Sequence, residues 1–422
     1  MKIGIQTWGS RGDINPWIAL GQGLQQAGHD VCLYYTSSLS AIDLSGFSSD
    51  GLTVVSTIEF SDSTNIYAKI KARKIYQMDM FEIDSYMRNE IFEPFKNEII
   101  RACEKLCESC ELIISNPILY QVHTIAEKHK VPLIYVLVDN YFTPYNALGH
   151  YADNAMNSIM GEQINLFREQ YGLPRVRNVR ADVYNSNILN LLAYSHIFGK
   201  EQEHWDSKYK ICGYLRISHP HNITIPESLA DFLEMGSKPV FFSMGSIAFF
   251  EGNNFEILDI FLEAINLCKC RAIIQADWNS INCQIPQNPN IYAISYLPHE
   301  LIFPHCLGVV HHGGAGTTHT CLFEGVPSVV IAYAWDQFYW GHELVKLGAS
   351  PGMLKRKYLD ALQLAGEISK LMADNEYSIK TLDAKRKIKR EKGVNKAVRL
   401  LEDYIGRHIE TSGKPQNNNL CE

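Results

Sequence analysis

The stretch Leu307-Gly308-Val309-Val310-His311-His312-Gly313-Gly314-Ala315-Gly316-Thr317-Thr318 decides the reading of this chain. Its apolar opening reads as a buried strand, and residues 318–324 read as the start of a helix. Between them, small and glycine residues let backbone N–H groups come close to an anion. The helix N-terminus adds about half a positive charge facing that anion. Such a turn suits a diphosphate held without a metal, so a nucleotide-linked ligand is expected.

The same alternation runs outward in both directions. Residues 3–6 form an apolar strand, a glycine-bearing turn follows, and residues 18–26 carry helical spacing up to Ala27-Gly28. Residues 31–35, 112–114 and 133–138 read as further strands, with a helix over about 119–128. Residues 65–110 and 156–171 read as mostly helical. A composition break at Ser218-His219-Pro220-His221-Asn222, then Pro226, precedes a second series. Residues 240–246 read as a strand running into a tight turn at Gly245-Ser246, and further strands fall at 271–274, 290–294, 308–310 and 328–331, with a helix over 255–267. The expected class is α/β, with two doubly wound Rossmann-like domains facing across a cleft. They cover residues 1–217 and 227–410, joined by a linker at 218–226. Residues 378–408 read as a charged amphipathic helix or helix pair, with the last helices free to pack back on the first domain. Residues 411–422 read as a disordered polar tail.

Composition narrows the partners. The 422 residues exceed one typical domain of ~100–200. A formal net charge of -7 argues against nucleic acid. Eleven Cys without paired spacing suit a reduced, cytoplasmic setting. Cys103, Cys107 and Cys110 cluster, but no His/Cys pair stands at zinc-ligand spacing, so a helix face bearing thiols is the simpler reading. The chain opens on a strand rather than a signal peptide, and no apolar run approaches the ~18 residues of a membrane span. Lys69, Lys71, Arg73 and Lys74 leave a peripheral membrane contact open, against the plainer reading of a solvated helix face. Tyr76, Met78, Met80, Phe81, Tyr86 and Met87 line either an apolar acceptor pocket or the core.

Gly9-Ser10-Arg11-Gly12-Asp13 lies between the first strand and the first helix, with Pro16 near the helix start. The spacing is not G-x-G-x-x-G, which weakens a nicotinamide or flavin reading. Taken alone, Asp13 reads as a helix N-cap and Arg11 as a surface charge. No Asp-x-Asp pair occurs, so no metal-chelating pair of that kind is present.

Together, the Gly9-to-Asp13 turn with Pro16, the His311-to-Thr318 loop and Asp336-Gln337 resemble the GT-B glycosyltransferases. The likeness is closest to the branch of sterol 3-beta-glucosyltransferases and the glycopeptide- and macrolide-modifying enzymes. Pro226-Glu227-Ser228-Leu229, Gly236-Ser237-Lys238-Pro239, Pro298-His299 and Asp336-Gln337-Phe338-Tyr339-Trp340-Gly341 fit the sterol-like members. The match is dense over about 210–350 and the first 35 residues. It is thin over about 54–109, where such a fold builds its acceptor pocket.

The resemblance implies an inverting, metal-independent transfer of a hexose, glucose in the first instance. The donor is a UDP-sugar co-substrate, no cofactor takes part, and the acceptor is a lipophilic alcohol such as a sterol. Asp13 is implied as the base, its pKa raised from ~3.9 by the cleft; plant relatives carry His there. His312, Gly314, Ala315, Gly316, Thr317, Thr318 and Ser246 are implied as diphosphate contacts, with Ser10, Arg11 and Gly12 reaching across. Trp278 would stack on the base, the backbone at Leu297 would read uracil, and Asp336 and Gln337 would hold sugar hydroxyls. Phe142-Thr143-Pro144 resembles the acceptor-side loop. His311 is expected as a packed histidine. Thr320 stands where plant members carry a ribose-binding Glu, which leaves that contact unassigned. The rivals are a dTDP-deoxysugar transferase acting on an antibiotic aglycone, a silent sugar-nucleotide-binding protein and, more weakly, an epimerase on the same fold.

Overall fold

Strands covered on both faces read as continuous apolar runs, and this chain has them in two series. The computed structural model describes residues 1–39, 42–58, 73–138, 149–219, 223–251, 256–276, 278 and 288–408. Seven strands build the first sheet: β1 (Lys2–Gly9), β2 (Asp30–Ser37), β3 (Leu52–Ser56), β4 (Leu112–Ser115), β5 (Leu133–Leu137), β6 (Asn190–Leu192) and β7 (Tyr209–Ile211). Their order is β3-β2-β1-β4-β5-β6-β7, parallel throughout. Six more build the second: β8 (Val240–Ser243), β9 (Ala272–Gln275), β10 (Ile291–Ile294), β11 (Gly308–His311), β12 (Ser328–Ala332) and β13 (Met353–Lys355). This sheet is also parallel, in the order β10-β9-β8-β11-β12-β13. The expected architecture of two doubly wound sheets is therefore present.

Each sheet reverses its strand order once, between β1 and β4 in the first and between β8 and β11 in the second. Ligands of doubly wound sheets sit beyond the strand ends at such switch points. The segments following β1, β8 and β11 are Ser10-to-Asp13, Gly245-Ser246 and His312-to-Gly314. The three glycine-bearing turns singled out in the sequence are thus the turns that topology selects.

The two halves meet through aromatic packing as well as through the linker. Phe198, beyond β6, lies edge-on to Trp340 and to His319, with ring centroids 5.0 Å apart in both pairs. Tyr214, beyond β7, stacks on His319 at 5.0 Å. The final helix, Gly393–His408, returns to the first sheet. Its Ala397, Val398 and Leu401 are buried in one cluster with Ile14, Trp17 and Ile18 of the helix Arg11–Gln26. A left-handed residue, Lys392, breaks it from the helix Glu376–Glu391. Gly393 passes so close to the Tyr214 carbonyl that a Cβ there would collide with backbone.

Candidate active site

A cleft of about 710 Å³ opens where the strand ends of the two sheets face each other. Trp8 to Asp13 form part of one wall; Gly245, Ser246, His312, Gly314 to Thr317 and Trp335 to Gln337 form part of the other. The helices Arg11–Gln26 and Ala315–Glu324 both begin here. The first amides of a helix have no partner within it, so two positive helix ends converge on one space. Their approach is close: a Cβ on Gly316 would lie 3.6 Å from the Gly12 carbonyl.

Asp13 sits in the first turn of its helix, and Ser10, not Asp13, is the N-cap. The Asp13 Oδ2 accepts from the Ser10 amide at 2.7 Å and from the Ser10 hydroxyl at 2.8 Å. Both bonds fall on one oxygen, so the carboxylate is oriented without using its whole accepting capacity. The side chain remains open to the cleft, but protein surrounds the cleft on both sides. That surround pushes the Asp13 pKa up from the ordinary carboxylate value, against the lowering effect of the two Ser10 bonds. Arg11 is no lone surface charge. Its Nη1 donates to the Tyr296 hydroxyl at 3.1 Å, and its guanidinium lies 4.5 Å from the Tyr296 ring centre.

The helix Ala315–Glu324 starts three residues earlier than its sequence pattern suggests, with Gly314 as N-cap. Its first internal bond runs from the Thr318 amide to the Gly314 carbonyl at 3.0 Å. The amides of Ala315, Gly316 and Thr317 therefore belong to the open first turn. His312 spaces this turn from the neighbouring one. A Cβ on Gly245 would lie 2.9 Å from its ring, and one on Gly314 would collide with it. Gly245 also takes φ +57, a left-handed value that favours glycine. Burial holds His312 neutral, with a pKa pushed down to about 4. His311 is a packed histidine, as expected: it is wholly buried, and its Nδ1 accepts from the Gly313 amide at 3.1 Å.

The Asp336-Gln337 pair opens the helix Asp336–Lys346 after β12. Gln337 is 4% exposed, and its Oε1 accepts from the amides of Tyr333 at 2.8 Å and Ala334 at 3.4 Å. Only its NH₂ end remains to donate to a ligand. The Asp336 Oδ2 accepts the Trp340 indole N–H at 2.7 Å.

Ser10, Arg11, Gly12, Asp13, Ser246, His312, Gly314, Ala315, Gly316, Thr317, Asp336 and Gln337 all line this one cleft. Three expected residues are not among those lining the cleft. Thr318 is wholly buried, its hydroxyl without a partner among the described residues, so it offers no donor at the cleft wall. Leu297 is 7% exposed and belongs to an apolar cluster with Phe241 and Phe303, leaving Tyr296 and Pro298 at the wall. Trp278 is half-buried against the core, and its indole donates to the Ile294 carbonyl at 2.9 Å. Phe142 and Thr143 lie outside the described residues. Thr320 gives its hydroxyl to the Gly316 carbonyl at 2.8 Å and lies 3.1 Å from the Tyr214 hydroxyl. Its hydroxyl is thus engaged within the protein, while the residue also lines the cleft. Among the described residues, no group of three or more His, Cys, Asp and Glu is placed to hold a metal ion, and no helix is long and apolar enough to cross a membrane.

Sequence reasoning did not find Tyr296 and Trp335. The first precedes the Leu297-Pro298-His299 turn that was read, and the second directly precedes Asp336, so adjacency was the available signal.

Residues 266–391 match the family model described as the C-terminal domain of erythromycin biosynthesis protein CIII-like proteins. A sterol 3-beta-glucosyltransferase of Arabidopsis thaliana is 25% identical over 97% of this chain and 68% of its own length. One from Candida albicans is 24% identical over 94% of this chain. The chain spans about two thirds of the two Arabidopsis relatives and only 27% of the Candida enzyme. Among solved structures, the kitacinnamycin glycotransferase superposes with a TM-score of 0.71 at 15% identity, covering 96% of this chain and 98% of that one. The glycosyltransferase VinC, solved in complex with dTDP, gives 0.66 at 18%, covering 96% and 100%. The chain therefore has the fold of these GT-B glycosyltransferases, and in sequence it is similar to the sterol 3-beta-glucosyltransferases and, over residues 266–391, to the CIII-like C-terminal domain.

Proposed function

We propose that the protein transfers a hexose, glucose in the first instance, from a UDP-sugar to a hydroxyl of a lipophilic acceptor such as a sterol, with inversion at the anomeric carbon. One observation carries this reading: a carboxylate with a raised pKa and the open N-terminus of the helix Ala315–Glu324 line the same cleft. In this reading, Asp13 takes the acceptor's proton as its oxygen attacks the anomeric carbon. The bond from that carbon to the diphosphate oxygen breaks on the opposite face. The amides of Ala315, Gly316 and Thr317 and the helix end stabilise the charge gathering on the departing diphosphate. Fixed donors of this kind commonly supply the largest single catalytic contribution. Asp336 and the Gln337 NH₂ hold sugar hydroxyls. The reaction uses neither metal nor cofactor, and its setting is the cytoplasm, with a peripheral membrane contact for a lipid acceptor.

The donor's base is the point at which a second reading has support. VinC was solved with dTDP, and the related structure SsfS6 with thymidine diphosphate. The Arabidopsis and yeast relatives are named for glucose transfer to sterols. Competition between UDP and dTDP decides between these donors. UDP is expected to bind at least ten times more tightly, and the reverse order would favour a deoxysugar donor. A mass-spectrometric screen of hydroxylated lipids with UDP-glucose tests the reaction itself. A mass gain of one hexose on a sterol supports the proposal, and no hexosylated product across the panel defeats it.

A further inference from the structure

We infer that Trp335 is the platform on which the donor's sugar ring rests, an inference that builds on the proposed sugar-nucleotide reading of the cleft. Residues 334–337 form a four-residue turn, closed by a bond from the Gln337 amide to the Ala334 carbonyl at 3.3 Å. Trp335 occupies its second position with φ 54 and ψ -132. That corner belongs to type II′ turns, where glycine is the residue that fits. A bulky side chain there is a true outlier. Such conformations persist only where the surroundings over-determine them, and they gather at ligand sites.

The surroundings here do so from three sides. The Gln337 side-chain carbonyl accepts from the amides of Tyr333 and Ala334. The Asp336 carboxylate is tied to the Trp340 indole. Gly313 of the anion-binding loop presses on the turn: a Cβ there would lie 3.1 Å from the Gln337 carbonyl. Glycine would close the same turn without strain, so the turn itself does not require tryptophan. What tryptophan adds is a large, half-buried ring, packed in part against the core, at the cleft wall beside Asp336 and Gln337. A pyranose presents a face of C–H groups ringed by hydroxyls. An aromatic face flanked by a carboxylate and an amide NH₂ matches both features. Trp335 therefore recognises the sugar, while the base and the diphosphate are held elsewhere.

The test is calorimetric binding of UDP and of UDP-glucose, without acceptor, to the native protein, Trp335→Gly and Trp335→Phe. In Trp335→Gly the backbone strain is relieved, so the thermal midpoint is expected to stay at or near the native value. UDP should bind as before, while UDP-glucose weakens by about 3- to 10-fold, the range of a lost ring contact. Trp335→Phe should keep most of the preference for UDP-glucose. A ratio of UDP-glucose to UDP affinity within twofold of native in Trp335→Gly overturns the inference, whether both affinities hold or both fall. Should Trp335→Gly not fold, Trp335→Leu decides by the same ratio. Absence of UDP binding by the native protein would instead remove the sugar-nucleotide reading, and this inference with it.

Discussion

Asp13 carries two duties, and they set what its substitutions should do. As an acceptor for the Ser10 amide and hydroxyl it stabilises the start of its helix. As the proposed base it must be ionised. Asp13→Asn is expected to cut transfer at least 10³-fold, about the reach of general-base catalysis, while UDP affinity stays within twofold by calorimetry. Turnover near native would remove Asp13 from the mechanism. Its raised pKa fixes the direction of the acid limb: kcat/KM should fall as pH drops through a midpoint above the ordinary ~3.9. A midpoint at or below that value would mean that another group limits the rate. The place of Asp13 at the cleft was legible only through its resemblance to a family turn, since alone it reads as a helix N-cap. Trp335 was not legible, because sequence carries residue type and not φ. Nor was the burial of the Trp278 and Leu297 side chains legible from their positions in a motif, since it is decided by neighbours on other strands.

At the scale of single elements, the helix Ala315–Glu324 ties the halves together as well as facing the cleft. Its His319 is 1% exposed, its Nε2 accepts from the Ser195 amide at 3.1 Å, and its Nδ1 lies 2.7 Å from the Ala315 carbonyl. The first bond makes Nε2 the acceptor, so Nδ1 carries the proton and the ring is neutral. Burial agrees, pushing the pKa down to about 4. His319→Ala strands a buried amide at Ser195 and opens a hole among Phe198, Tyr214 and Trp340. A loss of about 1–3 kcal/mol follows for the amide alone. The thermal midpoint should drop by several degrees, and an unchanged midpoint would show that the halves dock without this pin. Element existence was readable from apolar runs, while element ends were not. The helix begins at Ala315 because Gly314 caps it, and a glycine cap looks like loop in sequence. The strands β3, β6, β7 and β13 were not read from the sequence; the last three, of three residues each, are strands through pairing with a neighbour and not through their own pattern.

The whole molecule adds a pH dependence that no single site shows. His123, His299, His312 and His319 are each held neutral by burial, with pKa values pushed down to about 4. Unfolded, these rings titrate near ~6.5. Between the two values the unfolded chain binds more protons than the folded one, so stability falls as pH falls across that window. Thermal midpoints recorded from pH 7 down to pH 5 should decline steadily. A flat profile would mean that water reaches these rings. Two sheets and a cleft between them were predictable from alternation alone. The aromatic seam between the halves was not, because it joins residues more than a hundred positions apart.

The return of the helix Gly393–His408 to the first sheet also bears on how the protein is made. Ala397, Val398 and Leu401 fill the cluster that holds Ile14, Trp17 and Ile18. During synthesis at about 5–20 residues per second, the first sheet leaves the ribosome long before the helix that seals it. The apolar groove awaiting those three side chains stays wet until residues 397–401 have been translated. The core of the amino-terminal half is therefore completed only after every strand of the second sheet has been made.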